Sequence, residues 1–275
     1  SIASLRRDVS AGRSPDGSAD LTTFSLPSPG ISNAAPPAEI QALVDFLRIS
    51  EVLYKPDGGN DYEFVELTNT GTVPLNLSGV RFTGGIDYTF PAPTQLLPGK
   101  FIVVARNPAA LLSRFPLAGP VLAGGSFTGA LDNSGETLTL TLPKPWDAAI
   151  LSFAYKTSWE PLTFSSGHSL QVLDPSATAP RDWNERKTWG VSGQPGGTPG
   201  SDGPPAITSS LAAGGIAGDA FSYNIPATKN PVLFTAGGLP QGLSVTGATG
   251  VISGTLTQEG VYPVTITAAN SAGTD

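Results

Sequence analysis

A chain of 275 residues with a formal net charge of −7 offers no basic surface to neutralise phosphates, which excludes nucleic acid as a partner. Cys is absent, so disulfides, thiolate metal sites and cysteine nucleophiles are excluded with it. Gly 33 and Pro 26 beside 39% hydrophobic residues describe a folded, all-β protein of short strands and tight turns, long enough for two domains with separate cores.

Met is absent too, which predicts a processed or excised fragment. There is no signal-peptide pattern, and no apolar run approaches the roughly 20 residues that a transmembrane segment needs. The first 33 residues are polar and turn-rich, ending in Pro27-Ser28-Pro29-Gly30 and Asn33, and are too few to fold alone. From Pro36 the pattern changes. Ile40, Leu43, Val44 and Leu47 recur at i, i+3, i+4 and i+7 behind Pro36-Pro37 and predict one short amphipathic helix.

Two-residue alternation then predicts strands over Leu47 to Tyr54, Tyr62 to Thr68, Val80 to Phe82, Lys100 to Arg106, Thr137 to Leu142, Ile150 to Tyr155 and Ser169 to Leu173. Clusters such as Pro56 to Asn60 and Asp132 to Gly135 supply the positive-φ positions of the turns between them. Gly193 to Pro205, GQPGGTPGSDGPP, has almost no apolar side chain and reads as a linker that cannot pack. Beyond it, strands are predicted over Phe221 to Ile225, Val232 to Thr235, Leu243 to Thr246, Val251 to Thr255 and Tyr262 to Ala268.

The phrases ISEVLY (49–54), EFVELTNTG (63–71), LNLSGVRF (75–82), YTF (88–90) and LLPGKFIVVARN (96–107), followed by DNSGETLTL (132–140) and GHSLQV (167–172), resemble the lamin-tail domain. The resemblance runs in order over about Leu47 to Asp202 and implies an immunoglobulin-like β-sandwich. Its bacterial members look like non-catalytic modules of long exported proteins, and the heptad rod of lamins is missing here. GLPQGLSVTGATGVISGT (238–255) and GVYPVTITAANSAGT (260–274) resemble the immunoglobulin-like, cadherin-like repeats of bacterial surface proteins, with Leu256 where Pro is usual.

Ser4-Leu5 and Ser28-Pro29-Gly30 echo Ser169-Leu170 and Thr198-Pro199-Gly200, so the start of the chain resembles the end of a preceding lamin-tail domain. The expected organisation is therefore residues 1–35 as that tail end or an extended linker, 36–202 as the lamin-tail-like sandwich, and 203–275 as the Ig-like module without its last strand. Two readings stay open: the missing strand lies in sequence beyond this chain, which is the favoured one, or the edge is bare and offers a template for self-association by strand exchange.

Several constellations invite a chemical reading. His168, the single histidine, stands among Ser165, Ser166 and Ser169, but no GxSxG phrase accompanies it, and the resemblance makes it the start of a strand. Glu51, Glu63 and Glu66 lie on neighbouring strands, where paired carboxylates would serve glycosidase chemistry or, more plainly, accept bonds from backbone N–H groups or from Arg48 and Arg81. Asp57, Asn60 and Asp61 form an oxygen-rich loop suited to calcium, although Asp-Gly-Gly-Asn is also ordinary hairpin-turn chemistry. Trp159 and Trp183, grouped with Trp146 and Trp189, would contact a sugar or protein if exposed and fill the core if not.

No catalytic or cofactor-binding residues are assigned. The functional expectation is a non-catalytic structural or adhesive module of a large exported bacterial surface protein, extracellular or at the cell surface, meeting proteins or cell-surface glycans. The alternative is an accessory binding module of an exported enzyme.

Overall fold

The computed structural model describes residues 10–275 other than 15, 25, 27, 29, 31, 34, 35, 177–182, 202 and 271. The Ser4-Leu5 half of the internal echo therefore lies outside the described residues. Near the start, β1 (Ser10–Arg13) and β2 (Leu21–Phe24) form an antiparallel hairpin, and Leu26 behind it packs into the main core.

The predicted helix is α1 (Ala38–Phe46). It buries Ile40 and Leu43, with Val44 and Phe46 packed partly beside them. It stops where Leu47 turns extended and opens the first long strand, so one apolar stripe serves a helix and then a strand.

Two five-stranded antiparallel sheets make the sandwich. Its strands are β3 (Leu47–Leu53), β4 (Phe64–Asn69), β5 (Leu75–Asn76), β6 (Arg81–Gly84), β7 (Ile86–Thr89), β8 (Gln95–Leu96), β9 (Phe101–Ala105), β10 (Thr128–Gly129), β11 (Thr137–Thr141), β12 (Ala149–Ala154), β13 (Leu170–Val172) and β14 (Trp189–Val191). One sheet runs β10-β7-β6-β11-β12 and the other β14-β13-β3-β4-β9, while β5 and β8 pair separately. Ile49, Val65, Leu67, Ile102 and Val104 of the second sheet meet Phe82, Leu138, Leu140, Leu151 and Phe153 of the first in one continuous core.

The second sheet is buried on its outer face as well. Leu53, Phe64, Val103 and Ala105 point away from the sandwich core and pack under α2 (Pro108–Arg114) and the 3-10 turn Pro116–Val121, against Leu111, Phe115 and Ala118. Asn107 starts α2 by accepting the Ala110 N–H at 3.1 Å, with Pro108 in the first helical turn where its missing N–H costs nothing.

A short helix, α3 (Pro161–Ser165), precedes β13. The Ig-like module follows as β15 (Ala220–Asn224), β16 (Leu233–Gly237), β17 (Leu243–Thr246), β18 (Val251–Thr255), β19 (Thr265–Asn270) and β20 (Gly273–Thr274), in sheets ordered β15-β18-β17 and β16-β19-β20. Its fully buried apolar core is small: Ile225, Phe234, Ile252 and Ala268. The predicted strand from Tyr262 begins at Thr265 instead, beyond Pro263, which has no N–H to give a ladder. The expected bare edge is partly covered: Gly273 and Thr274 pair with Asn270 and Ala269, and Asp275 and Ala268 exchange backbone bonds of 2.8 and 2.9 Å.

Candidate functional site

The three glutamates singled out by sequence are all buried, each at 1% exposure or less. Glu51 and Glu66 face each other across β3 and β4 because the register slips by one residue between Ile49 and Glu51. Ser50 is the extra residue, so Ser50 and Glu51 both project from the outer face while Ile49 and Val52 stay in the core.

Two like charges opposed on a sheet are unfavourable unless donors surround them. The backbone donors among them come from the segment predicted not to pack. Glu51 accepts the Thr198 N–H at 2.9 Å, the Thr198 hydroxyl at 3.2 Å and the Ser169 hydroxyl. Glu66 accepts the Gly200 N–H at 2.5 Å and the Ser50 hydroxyl at 2.6 Å. Alternate N–H groups of Thr198-Pro199-Gly200 thus reach alternate carboxylates, and residues 196–201 are buried.

This corrects the reading of Gly193 to Pro205 as unable to pack. A segment without apolar side chains is buried once its backbone polar groups have partners. Burial still pushes the Glu51 carboxyl above its ordinary range, against the bonds from Ser169, Thr198 and Gln171 that pull it down.

The glycines of the segment are required by close approach. A Cβ on Gly197, whose φ is +83, would strike the Glu51 carboxylate and stand 3.0 Å from the Phe64 ring; one on Gly200, at φ +85, would stand 2.7 Å from a Val121 methyl.

Glu63 is placed apart from this pair, at the start of β4. Its Oε2 accepts the Leu131 N–H at 3.0 Å and meets Arg106 at 3.4 Å, while its Oε1 has no protein partner; burial raises this carboxyl too. The expectation of arginine partners is corrected in detail. Arg48 donates to the carbonyls of Val44, Asp45 and Leu47, and Arg81 pairs with Asp147.

His168 is tied by Nδ1 to the Ser192 carbonyl at 2.8 Å. Of its neighbouring serines, Ser169 donates to Glu51, and Ser165 donates to the Pro161 carbonyl at 3.0 Å. Nothing here pairs an exposed serine with the imidazole.

Asn60 and Asp61 sit in a 3-10 turn, Asp61 faces Asn107 at 3.4 Å, and the Asp57 carbonyl accepts from Arg114 at 2.6 Å. Among the described residues no three His, Asp or Glu side chains stand together as a metal group.

Trp159 and Trp183 are not surface platforms. They are 6% and 0% exposed and pack with Phe153 and Trp189, Trp183 edge-on to Phe153 at 5.6 Å and Trp159 at 6.1 Å from Trp189. The grouping of tryptophans was the signal of a core, as large aromatics bury more area than any other side chain.

A groove of about 430 Å³ remains open on the outer face of the second sheet, beyond the latched segment. Glu66, Thr68, Phe101, Gln171, Leu173 and Ser201 line it. No phrase of the sequence marked it, because its walls come from strands and loops far apart in the chain.

Two β-sandwiches follow one another in the chain, and the buried acids of the first are bound to backbone and hydroxyl donors. Residues 44–156 match the family described as Lamin Tail Domain, and residues 204–275 match the one described as Putative Ig domain; the chain is a lamin tail domain followed by an Ig-like module. Such families are in general non-catalytic modules.

No curated protein matches the chain. Two solved structures from Bacteroides fragilis NCTC 9343 are similar over a short stretch. One, "a putative alpha-galactosidase/melibiase", is 34% identical and the other, "a putative alpha-galactosidase", 36% identical. Each similarity covers 26% of this chain and 16% of the other, with a TM-score of 0.26. The chain therefore spans about one sixth of the length of either. Among the described residues no helix is long and apolar enough to cross a membrane.

Proposed function

We propose that the chain is a structural and adhesive module of a large exported bacterial surface protein, holding its place in an array and meeting proteins or glycans. One observation carries this reading: Glu51 and Glu66, the paired acids that sequence offers for chemistry, are spent on the backbone of residues 198–200. Carboxylates used in this way shape the molecule rather than act on a substrate.

The contact is assigned to the open groove, where the aromatic ring of Phe101 and the polar side chains of Thr68 and Gln171 suit a sugar. Antibodies against the chain are expected to label intact source cells, and a glycan array is expected to show binding that Phe101→Ala or Leu173→Ala weakens. Labelling only after lysis would contradict the location. An array without any signal, or binding indifferent to both substitutions, would remove the groove from the proposal.

A further inference from the structure

The Ig-like module touches the lamin-tail sandwich through three separate stretches of it. Asn270 of β19, 3% exposed, brings its side-chain amide nitrogen within bonding distance of Ser201 Oγ at 2.6 Å, the Gly203 carbonyl at 2.8 Å and the Lys229 carbonyl at 2.7 Å. Its oxygen accepts the N–H groups of Ala272 and Gly273 at 2.8 and 3.2 Å, so both ends of the amide are engaged.

The second stretch is Gly99-Lys100, ahead of β9. Lys229 and Asn230 both hold positive φ, 62° and 49°, in the turn that leads to β16. That turn points the Asn230 amide at the sandwich, where it donates to the Gly99 carbonyl at 3.1 Å and accepts from Lys100 Nζ at 2.7 Å. The third stretch is the 3-10 turn Pro116–Val121, which lies beside β19 and against whose Val121 Gly200 is packed.

We infer that this surface is a fixed joint, a docking face of the sandwich whose partner is the Ig-like module of the same chain. The carboxylates act in it as positioning groups. Glu51 and Glu66 hold Thr198 and Gly200, which sets Ser201 and Gly203 where Asn270 grips them. A segment rich in Gly and Pro would leave two modules to move independently if it were solvated. Pinned from one side by two buried acids and from the other by a buried amide, it couples them instead. The joint goes beyond the adhesive reading, since it holds whatever the groove binds.

The test is nitrogen-15 relaxation on the full chain, read as a rotational correlation time for each module. One common value is expected for the wild type. A double variant, Asn230→Gly with Asn270→Asp, keeps the positive-φ turn and an oxygen to accept the Ala272 and Gly273 N–H groups while removing the amide donors of both clasps, and is expected to lose the common value, the Ig-like module then tumbling faster than the sandwich. Two different values in the wild type would overturn the joint. So would a double variant that keeps the wild-type value with both modules folded by amide chemical-shift dispersion.

Discussion

The lamin-tail sandwich and the Ig-like module are made of the same short strands and glycine turns, yet they bury very different amounts. Among the described residues, 35 buried apolar side chains form the main core of the first, with a second cluster under α2, whereas four form that of the second. The module also leaves Leu211, Ile216 and Val261 at 72% exposure or more. Hydrophobic stabilisation grows with area removed from water, so the two regions stand at different distances from their unfolding thresholds. A two-sided sheet, covered by core on one face and by α2 and residues 196–201 on the other, anchors the molecule; the module depends on its turns and on the joint.

Substitutions that sharpen this contrast follow in order of size. Trp183→Ala removes a fully buried indole from the aromatic cluster and is expected to cost about 3–5 kcal/mol, read as a large fall in the denaturation midpoint of the sandwich. Phe234→Ala costs its module about 3 kcal/mol, but from a core of four that is enough to unfold the module while the sandwich transition stays in place. One merged transition falling as a whole would erase the distinction drawn between the regions.

Gly197→Ala is next. It forces a side chain at positive φ into Glu51 and Phe64, and about 1–3 kcal/mol is expected from overpacking and strain, appearing in the sandwich transition alone. The smallest effect is one of pH. The folded Glu51 carboxyl titrates above its unfolded value, so the folded state holds a proton that the unfolded state has released, and this contribution is full below the unfolded value and lost as pH rises through the folded one. The stability advantage of wild type over Glu51→Gln is therefore expected to grow as pH falls from neutrality toward the ordinary glutamate range. An advantage that shrinks on acidification would mean that the carboxylate is stabilised in its charged form.

Much of this was readable from the residues. Alternation located the long strands, and the helix from Pro36 was visible in its apolar spacing; α1 and β3 share the stripe that ends at Leu47. The two-residue strands β5, β8 and β10 leave too little pattern to read. α2 was missed although Asn107-Pro108 is a helix start, because its seven residues make only about two turns, too few for an apolar period to stand out.

The acids were picked out correctly, and so was the backbone as their partner. What stayed hidden was the bulge, although Ile49 and Val52, both apolar and three apart in a strand, break the two-residue period at Ser50-Glu51. The greater misreading was of residues 193–205. Composition says only that such a segment gains nothing from hydrophobic burial. Whether it is buried depends on donors and acceptors supplied from elsewhere in the chain, here Glu51 and Glu66, some 150 and 130 residues earlier.

Hydrogen exchange of the Thr198 and Gly200 amides goes to the centre of this. The account predicts that both exchange as slowly as the amides of β3 and β4 and lose that protection in Glu51→Ala and Glu66→Ala respectively. Exchange in the wild type at the rate of an open, solvated chain would contradict it.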